Sequence, residues 1–367
     1  MSTQISPDFA SLTRQFRFEG RFVEATPFGN GHIHDTYAAS FDCGNCKNYR
    51  YILQRINTHI FTEPVKVMEN IEKVTSHLRN KIIAQGGDPD RETLTLVPAV
   101  DGRSYFMDEV GGTWRATILI EGAQTYQAIK DHALYNNAAR AFGRFQKHLA
   151  DFPAGDLHII LPNFHNTPWR LQNFMRALEN DTVGRSKEVP NEIAFLLKRS
   201  TQVGRLLDLE TQGLIPLRVT HNDTKLDNVM IDDLTGEGIC VIDLDTVMPG
   251  SALYDFGDAV RSAANSAAED EPDLSKVYFD LSIFQRYLEG YLSEAGDLLT
   301  PVELENLAFS AWLIGYELAI RFLGDFINGD TYFKVYRPNH NLDRAHTQIK
   351  LIQDIEDHFD QMEKMVR

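Results

Sequence analysis

Short runs of alternating apolar and polar residues fill the first third of the chain. FRFEGRFVEATPF (16–28) and TYAASFDC (36–43) alternate in part, and NYRYILQRIN (48–57) follows. A period of two marks a half-buried strand, so these runs predict an antiparallel meander. From Pro64 the period lengthens. Val67, Ile71, Val74 and Leu78 share one helix face, with Pro64 near the first turn. Three more strand-like runs follow: TLTLVPAV, SYFMDEV and TWRATILIEG. Beyond Thr125 helical patterns dominate, over 125–152, 191–209, 274–295, 301–327 and 341–366. No internal repeat or low-complexity tract is present. The expected class is α+β. A small antiparallel β-rich lobe over 1–121 precedes a larger helical lobe over 122–367, with a hinge at Ile120, Glu121 and Gly122. Ligands commonly bind where such lobes meet.

Residues 218–258 depart from both patterns. Two segments, VTHNDTKLDNVMI and GICVIDLD, are joined by the turn DDLTGEG, and Asp223, Asp227, Asp243, Asp245, Asp255 and Asp258 gather in and around them. A hairpin there brings Asn228 and Asp243 together. An amide oxygen and a carboxylate are hard donors suited to Mg²⁺. Asp223 is then free to accept a proton from a hydroxyl, with Lys225 beside it as a cation. Base, metal and cation are what phosphoryl transfer requires. The plainer account is a pair of acidic turns. Asp245 either assists the metal or caps the next turn. Asp255 and Asp258 are read as capping and anchoring the following helix.

Bulk properties narrow the classes. The chain has 367 residues and a formal charge of −16. No basic patch appears, so a nucleic-acid partner is not expected. A cationic acceptor, or an anionic one carrying its own metal, fits that charge. Cys43, Cys46 and Cys240 are too few for a disulfide framework and suit a reducing compartment. CGNC (43–46) has metal-ligand spacing but no second pair, and it reads as a hairpin turn. MSTQISPDF lacks the basic and apolar segments of a signal peptide, and the uncharged run NLAFSAWLIGY is too short to span a bilayer. A cytoplasmic protein without a membrane partner, monomeric or weakly dimeric, is expected.

HNDTKLDN followed by VIDLD resembles the catalytic loop and metal-binding segment of the aminoglycoside phosphotransferase and choline kinase group. The protein-kinase counterpart is H-R-D-L-x-x-x-N followed by D-F-G. The resemblance implies a two-lobed protein-kinase-like fold using ATP and Mg²⁺. Asp223 would be the catalytic base, Asn228 and Asp243 the metal ligands, Lys225 the neutralising cation, and His221 a structural member of the loop. FGNGHIHDTY (28–37) stands where that group has its phosphate-covering loop, which puts Gly29, Asn30 and Gly31 at the nucleotide. YILQRIN stands at the third strand but lacks the usual lysine. Arg55 or Gln54 is nearby, with Glu69 or Glu72 as partner. ILIEG (118–122) resembles the hinge strand, placing Glu121 where backbone holds adenine.

The segments FGNGHIHDTY, YILQRIN, VTHNDTKLDNVM and VIDLDTVMPGS together resemble the N-acetylhexosamine 1-kinases of that group. That implies a sugar acceptor, GlcNAc or GalNAc, whose anomeric 1-hydroxyl meets Asp223. His32, His34 and Asp35 would reach the sugar from the small lobe; ordinary strand polarity is the alternative for His34 and Asp35. Arg321 and Tyr332 would reach it from the large lobe, with Tyr336 and Arg337 closing a wall. An intrahelical pair with Glu317 is the plain account of Arg321. Trp169 and Arg170 read as packing and surface. Other acceptors of choline, homoserine or aminoglycoside type remain open. So does a non-catalytic nucleotide-binding protein, which the missing lysine would favour.

Overall fold

The computed structural model describes residues 7–29, 33–44, 48–126 and 132–367. The N-terminal part is an antiparallel sheet of β1 (Arg21–Pro27), β2 (Asp35–Asp42), β3 (Asn48–Arg55), β4 (Phe106–Met107) and β5 (Thr113–Ile118), in the order β1-β2-β3-β5-β4. Period-two alternation sorts its side chains. Tyr51 and Leu53 of β3 join Trp114 and Ala116 of β5 in an apolar core with Phe16, Phe41 and Val97. Gln54 and Arg115, partners in the β3–β5 register, project from the opposite face.

TLTLVPAV does not form the expected strand. It keeps the isolated bridges Leu96–Thr117 and Ala99–Phe16, with Val97 N donating to Ala116 O at 2.8 Å and Ile118 N to Thr95 O at 3.0 Å. Pro98 lies between them and has no N–H to give a ladder. SYFMDEV contracts to β4 alone.

The helices are α1 (Phe9–Thr13), α2 (Pro64–Ala84), α3 (Pro89–Glu92), α4 (His132–His148), α5 (Thr167–Asn180), α6 (Pro190–Arg199), α7 (Arg205–Thr211), α8 (Ala252–Ala263), α9 (Leu281–Ala295), α10 (Pro301–Glu305), α11 (Leu307–Ile327) and α12 (His340–Val366). The pattern over 191–209 is thus two helices, and that over 274–295 begins only at Leu281, where the Asp280 side chain accepts from the Ser282 and Ile283 N–H groups. Neither α1 nor α5 was expected. The signal for α5 is Asn166-Thr-Pro: the Asn166 side chain accepts from Trp169 N, and Pro168 sits in the first turn.

Buried residues of α2 pack with the helical part rather than with the core of the sheet. α11 runs through that core. It is long and apolar enough to cross a membrane, a length hidden by its charges Glu317, Arg321 and Asp325, but 89% of its most apolar stretch is buried inside the protein. Gly257 of α8 meets α11 so closely that an added Cβ would lie 2.5 Å from the Ser310 carbonyl oxygen. Three short ladders complete the fold. β6 (Ala123–Gln124), β8 (Val229–Asp232) and β9 (Gly238–Val241) form one sheet, and β7 (Arg218–Thr220) pairs with β10 (Met248–Gly250). Of CGNC, Asn45 and Cys46 lie outside the described residues, while Cys43 and Cys240 are free thiols.

Candidate active site

Residues 221–228 connect β7 to β8 as a loop clamped from below by α8. The Asp255 carboxylate accepts the His221 N–H at 2.9 Å and the Asn222 N–H at 2.7 Å, and Asp258 accepts the Thr224 N–H at 3.1 Å. Asn222 takes a left-handed conformation, φ 65°, which an asparagine tolerates. The helix-capping role expected of Asp255 and Asp258 belongs instead to Ser251, whose hydroxyl accepts from Leu253 N. His221 is structural, as read from the sequence. Its Nε2 faces the Ile242 carbonyl at 2.8 Å, so Nδ1 is the acceptor for the Asp223 N–H at 3.2 Å. Buried Asp255 therefore replaces the loop's missing backbone partners. Asp255→Asn is expected to cost about 2–3 kcal/mol in urea unfolding, because an amide turns one acceptor into a donor facing N–H groups. It should also lower kcat. Unchanged stability would show that the clamp is dispensable.

Asp223 lies 25% exposed, at the open end of this loop. Its Oδ1 meets Lys225 Nζ at 2.7 Å and its Oδ2 accepts from Asn228 Nδ2 at 3.1 Å. Asn228 Nδ2 also donates to the Asp223 carbonyl at 2.7 Å. Its amide nitrogen is thus spent, which leaves the oxygen as the free end. The β8–β9 hairpin, with Val229 opposite Val241 and Ile242 N donating to Asn228 O at 2.9 Å, carries Asp243 alongside. Asp243 is left-handed, φ 59°. Burial and the neighbouring Asp245 carboxylate push its carboxyl well above the usual range. A divalent cation would supply the missing counter-charge, and an amide oxygen with a carboxylate is a fitting donor pair for Mg²⁺.

Asp245 is engaged differently. It receives Arg115 of β5 in a fork, Nη1 to Oδ1 at 2.5 Å and Nη2 to Oδ2 at 2.7 Å, and His34 Nε2 at 3.1 Å. Burial opposes its charge, yet Arg115 and His34 hold its carboxyl well below the usual range. Ligand atoms of His34, Asp243 and Asp245 lie within 4.8 Å of one another. They do not make a metal cage, because Asp245 is already bound at both oxygens and His34 Nδ1 accepts the Asn57 N–H at 3.0 Å. His34 is accordingly a lobe-bridging group stacked on Phe61, with neither ring nitrogen free for a sugar.

The small lobe revises further expectations. Arg55 is not beside Asp243. It lies on the Trp114 face of the sheet, 5.9 Å from that ring and 3.9 Å from Asp108. One residue of register puts Gln54, not Arg55, on the site's side. Glu69 bonds His158 at 2.5 Å and Glu72 is exposed, so neither orients a small-lobe cation. Glu121 is exposed and its carboxylate pairs with Arg50; its carbonyl accepts from Arg91 Nη1 at 2.5 Å, so adenine needs other backbone groups of 118–122. Asp35 is exposed at the start of β2, opposite Arg55. Gly29, φ 78°, forms an open turn, whereas Asn30, Gly31 and His32 fall outside the described residues.

In the helical lobe Arg321 and Tyr332 do come together. They line a cleft of about 160 Å³ with Arg170, Asn173, Phe174 and Phe333. The Glu317–Arg321 pair is not formed, since Glu317 bonds His165 at 3.2 Å and Thr167 at 2.8 Å. Arg321 instead lies over Phe333 and Phe164, 5.4 and 6.0 Å from their centroids. Arg170, read as surface, faces the same cleft; burial and the charge of Arg321 lower its pKa. Asp325 holds the wall by accepting from the Thr331, Tyr332 and Phe333 N–H groups at 2.8–2.9 Å. Tyr336 is exposed, and Arg337 is tied to Asp343 and Asp270.

Residues 24–293 match the family described as "Phosphotransferase enzyme family". Among solved structures, a microcompartment-associated aminopropanol kinase superposes with a TM-score of 0.64 at 18% identity, covering 98% of this chain and 99% of that one. A choline kinase from Cryptosporidium parvum gives 0.57 at 14% identity, over 96% of each chain. An amicoumacin kinase, solved with AMP-PNP and Ca²⁺, gives 0.55 at 12% identity, over 96% of this chain and 94% of that one. At these identities the structures establish a kinase-like fold.

Proposed function

The chain belongs to the phosphotransferase enzyme family, of aminoglycoside phosphotransferase and choline kinase type, and from that membership we propose that it phosphorylates the anomeric hydroxyl of an N-acetylhexosamine, using ATP and Mg²⁺. Membership itself makes it a small-molecule kinase with a hydroxyl acceptor, and implies ATP and a divalent cation. In the proposed reaction Asp223 takes the proton of the acceptor hydroxyl. The freed oxygen bonds to the γ-phosphorus as the bond to the bridging oxygen breaks, and ADP leaves. Asn228 and Asp243 hold the metal. The division into lobes at 121/122, a cytoplasmic location and a monomeric or weakly dimeric state are part of the proposal.

The observation that carries the sugar reading is the charge of the cleft at Arg321 and Tyr332. Two arginines face it, while the lining carboxylate of Asp325 is spent on backbone N–H groups. An ammonium would meet repulsion there. A neutral acceptor rich in hydroxyl and carbonyl oxygens would meet guanidinium donors and aromatic rings. Arg321→Ala is expected to raise KM for the acceptor roughly 10- to 100-fold, with KM for ATP and the melting temperature unchanged. A lower melting temperature with normal kinetics would make Arg321 structural.

An amino-alcohol acceptor is the second reading. It is favoured by the formal charge of −16, which suits a cationic acceptor. The deciding experiment offers ATP and Mg²⁺ with N-acetylglucosamine, N-acetylgalactosamine, glucose, galactose, choline, homoserine and kanamycin. ADP release is followed and the product identified by phosphorus NMR. An anomeric sugar phosphate supports the proposal. Turnover with cationic acceptors alone replaces its substrate.

A further inference from the structure

We infer that Arg115 supplies the cation for the nucleotide phosphates, delivered from β5 because the site-facing position of β3 holds Gln54. The register fixes this exchange. Gln54 and Arg115 are cross-strand partners and project from the same face, and Arg115 Nε donates to Gln54 Oε1 at 2.9 Å. A positive charge on either strand at this level reaches the same place. The sheet offers no other candidate among the described residues. Arg21 pairs with Asp42, Arg50 with Glu121, Arg55 with Asp108 and Arg103 with Asp101, all away from Asp243. Arg115 alone extends its guanidinium to the segment bearing Asp243.

Its bonding pattern suits the role. A guanidinium has five N–H donors. Nε is used by Gln54, and one donor on each Nη by Asp245. One N–H on each Nη is left, on opposite edges of the guanidinium plane, and each can donate singly to a phosphate oxygen. Asp245 then acts as the orienting acid, the task expected of Glu69 or Glu72, and His34 steadies it from the other side. A buried ion pair is a poor source of stability compared with apolar packing. Its presence at the junction between sheet and metal-binding segment therefore points to ligand binding.

The inference rests on the kinase reading of the site, so its test uses nucleotide binding without acceptor. Calorimetry of Mg·AMP-PNP compares wild type with three variants. Arg115→Met is combined with Asp245→Asn, so that no lone charge is buried. Gln54→Lys is then added to that pair. Arg55→Met is the control. Losing a charge-assisted phosphate contact should weaken binding at least ~30-fold in the paired variant, and Gln54→Lys should recover most of the loss. Arg55→Met should bind as wild type. A folded paired variant with wild-type affinity, or a loss that Gln54→Lys does not recover, overturns the assignment. If the pair does not fold, Arg115→Lys alone decides: it should bind roughly 5- to 10-fold more weakly, with acceptor KM unchanged, and unaltered affinity overturns it. Wild-type protein that fails to bind the nucleotide removes the kinase reading and this inference together.

Discussion

Asp223→Asn is expected to lower kcat by roughly 10²- to 10⁴-fold while Mg·ATP still binds. The amide preserves size, and its one oxygen can still accept from either Lys225 or Asn228, whose groups stand 2.7 and 3.1 Å from the two carboxylate oxygens of Asp223. What it cannot do is take up a proton. Lys225, half-exposed beside it, remains as a cation for the transferring phosphate. Steady-state ADP release together with nucleotide titration separates the two effects. A fall of less than about tenfold would mean that the hydroxyl proton leaves by another route.

Asp243→Ala is expected to act with opposite signs on function and on the metal-free fold. The Asp243 and Asp245 carboxylates are neighbours that repel, and Arg115 and His34 bond only to Asp245, leaving Asp243 with the charge of Arg115 at longer range. Removing Asp243 relieves that conflict, so the metal-free variant should melt no lower than wild type. Its half-saturating Mg²⁺ concentration should rise roughly 10- to 100-fold, with kcat falling accordingly. Titrating Mg²⁺ in the ADP-release assay and melting the protein without metal tests both halves. An unchanged Mg²⁺ dependence would remove Asp243 from the metal site.

The parts legible in the sequence are those whose partners are close along the chain. Asp223 and Asn228 are five residues apart, and the turn to Asp243 is short, so spacing alone places all three at one hairpin. Arg115 was not legible, because its partner Asp245 is 130 residues away and TWRATI reads as an ordinary strand. Local reasoning also misdirected Asp255 and Asp258. Each begins or continues a helix, yet each serves a loop more than 30 residues earlier. Arg55 was misplaced by a single residue of register, which in a strand reverses the face. For Arg321, read as reaching the cleft, the nearby acid offered a helical pair as the plain alternative, but tertiary contacts with His165 and Thr167 claimed Glu317.

Gly257 has a bearing on how acceptor preference can be re-engineered. Its close approach to Ser310 fuses α8 to α11. One of these helices carries the clamp on the catalytic loop; the other carries Arg321. Any side chain at 257 would push both at once, so a library built there would mostly return inactive enzymes. The 328–337 segment hangs outside this fused pair, tied back by Asp325, and includes the exposed Tyr332 and Tyr336. Saturation of those tyrosines, with Asp325 left alone, is the place where diversity in the acceptor can be sampled without disturbing the chemistry.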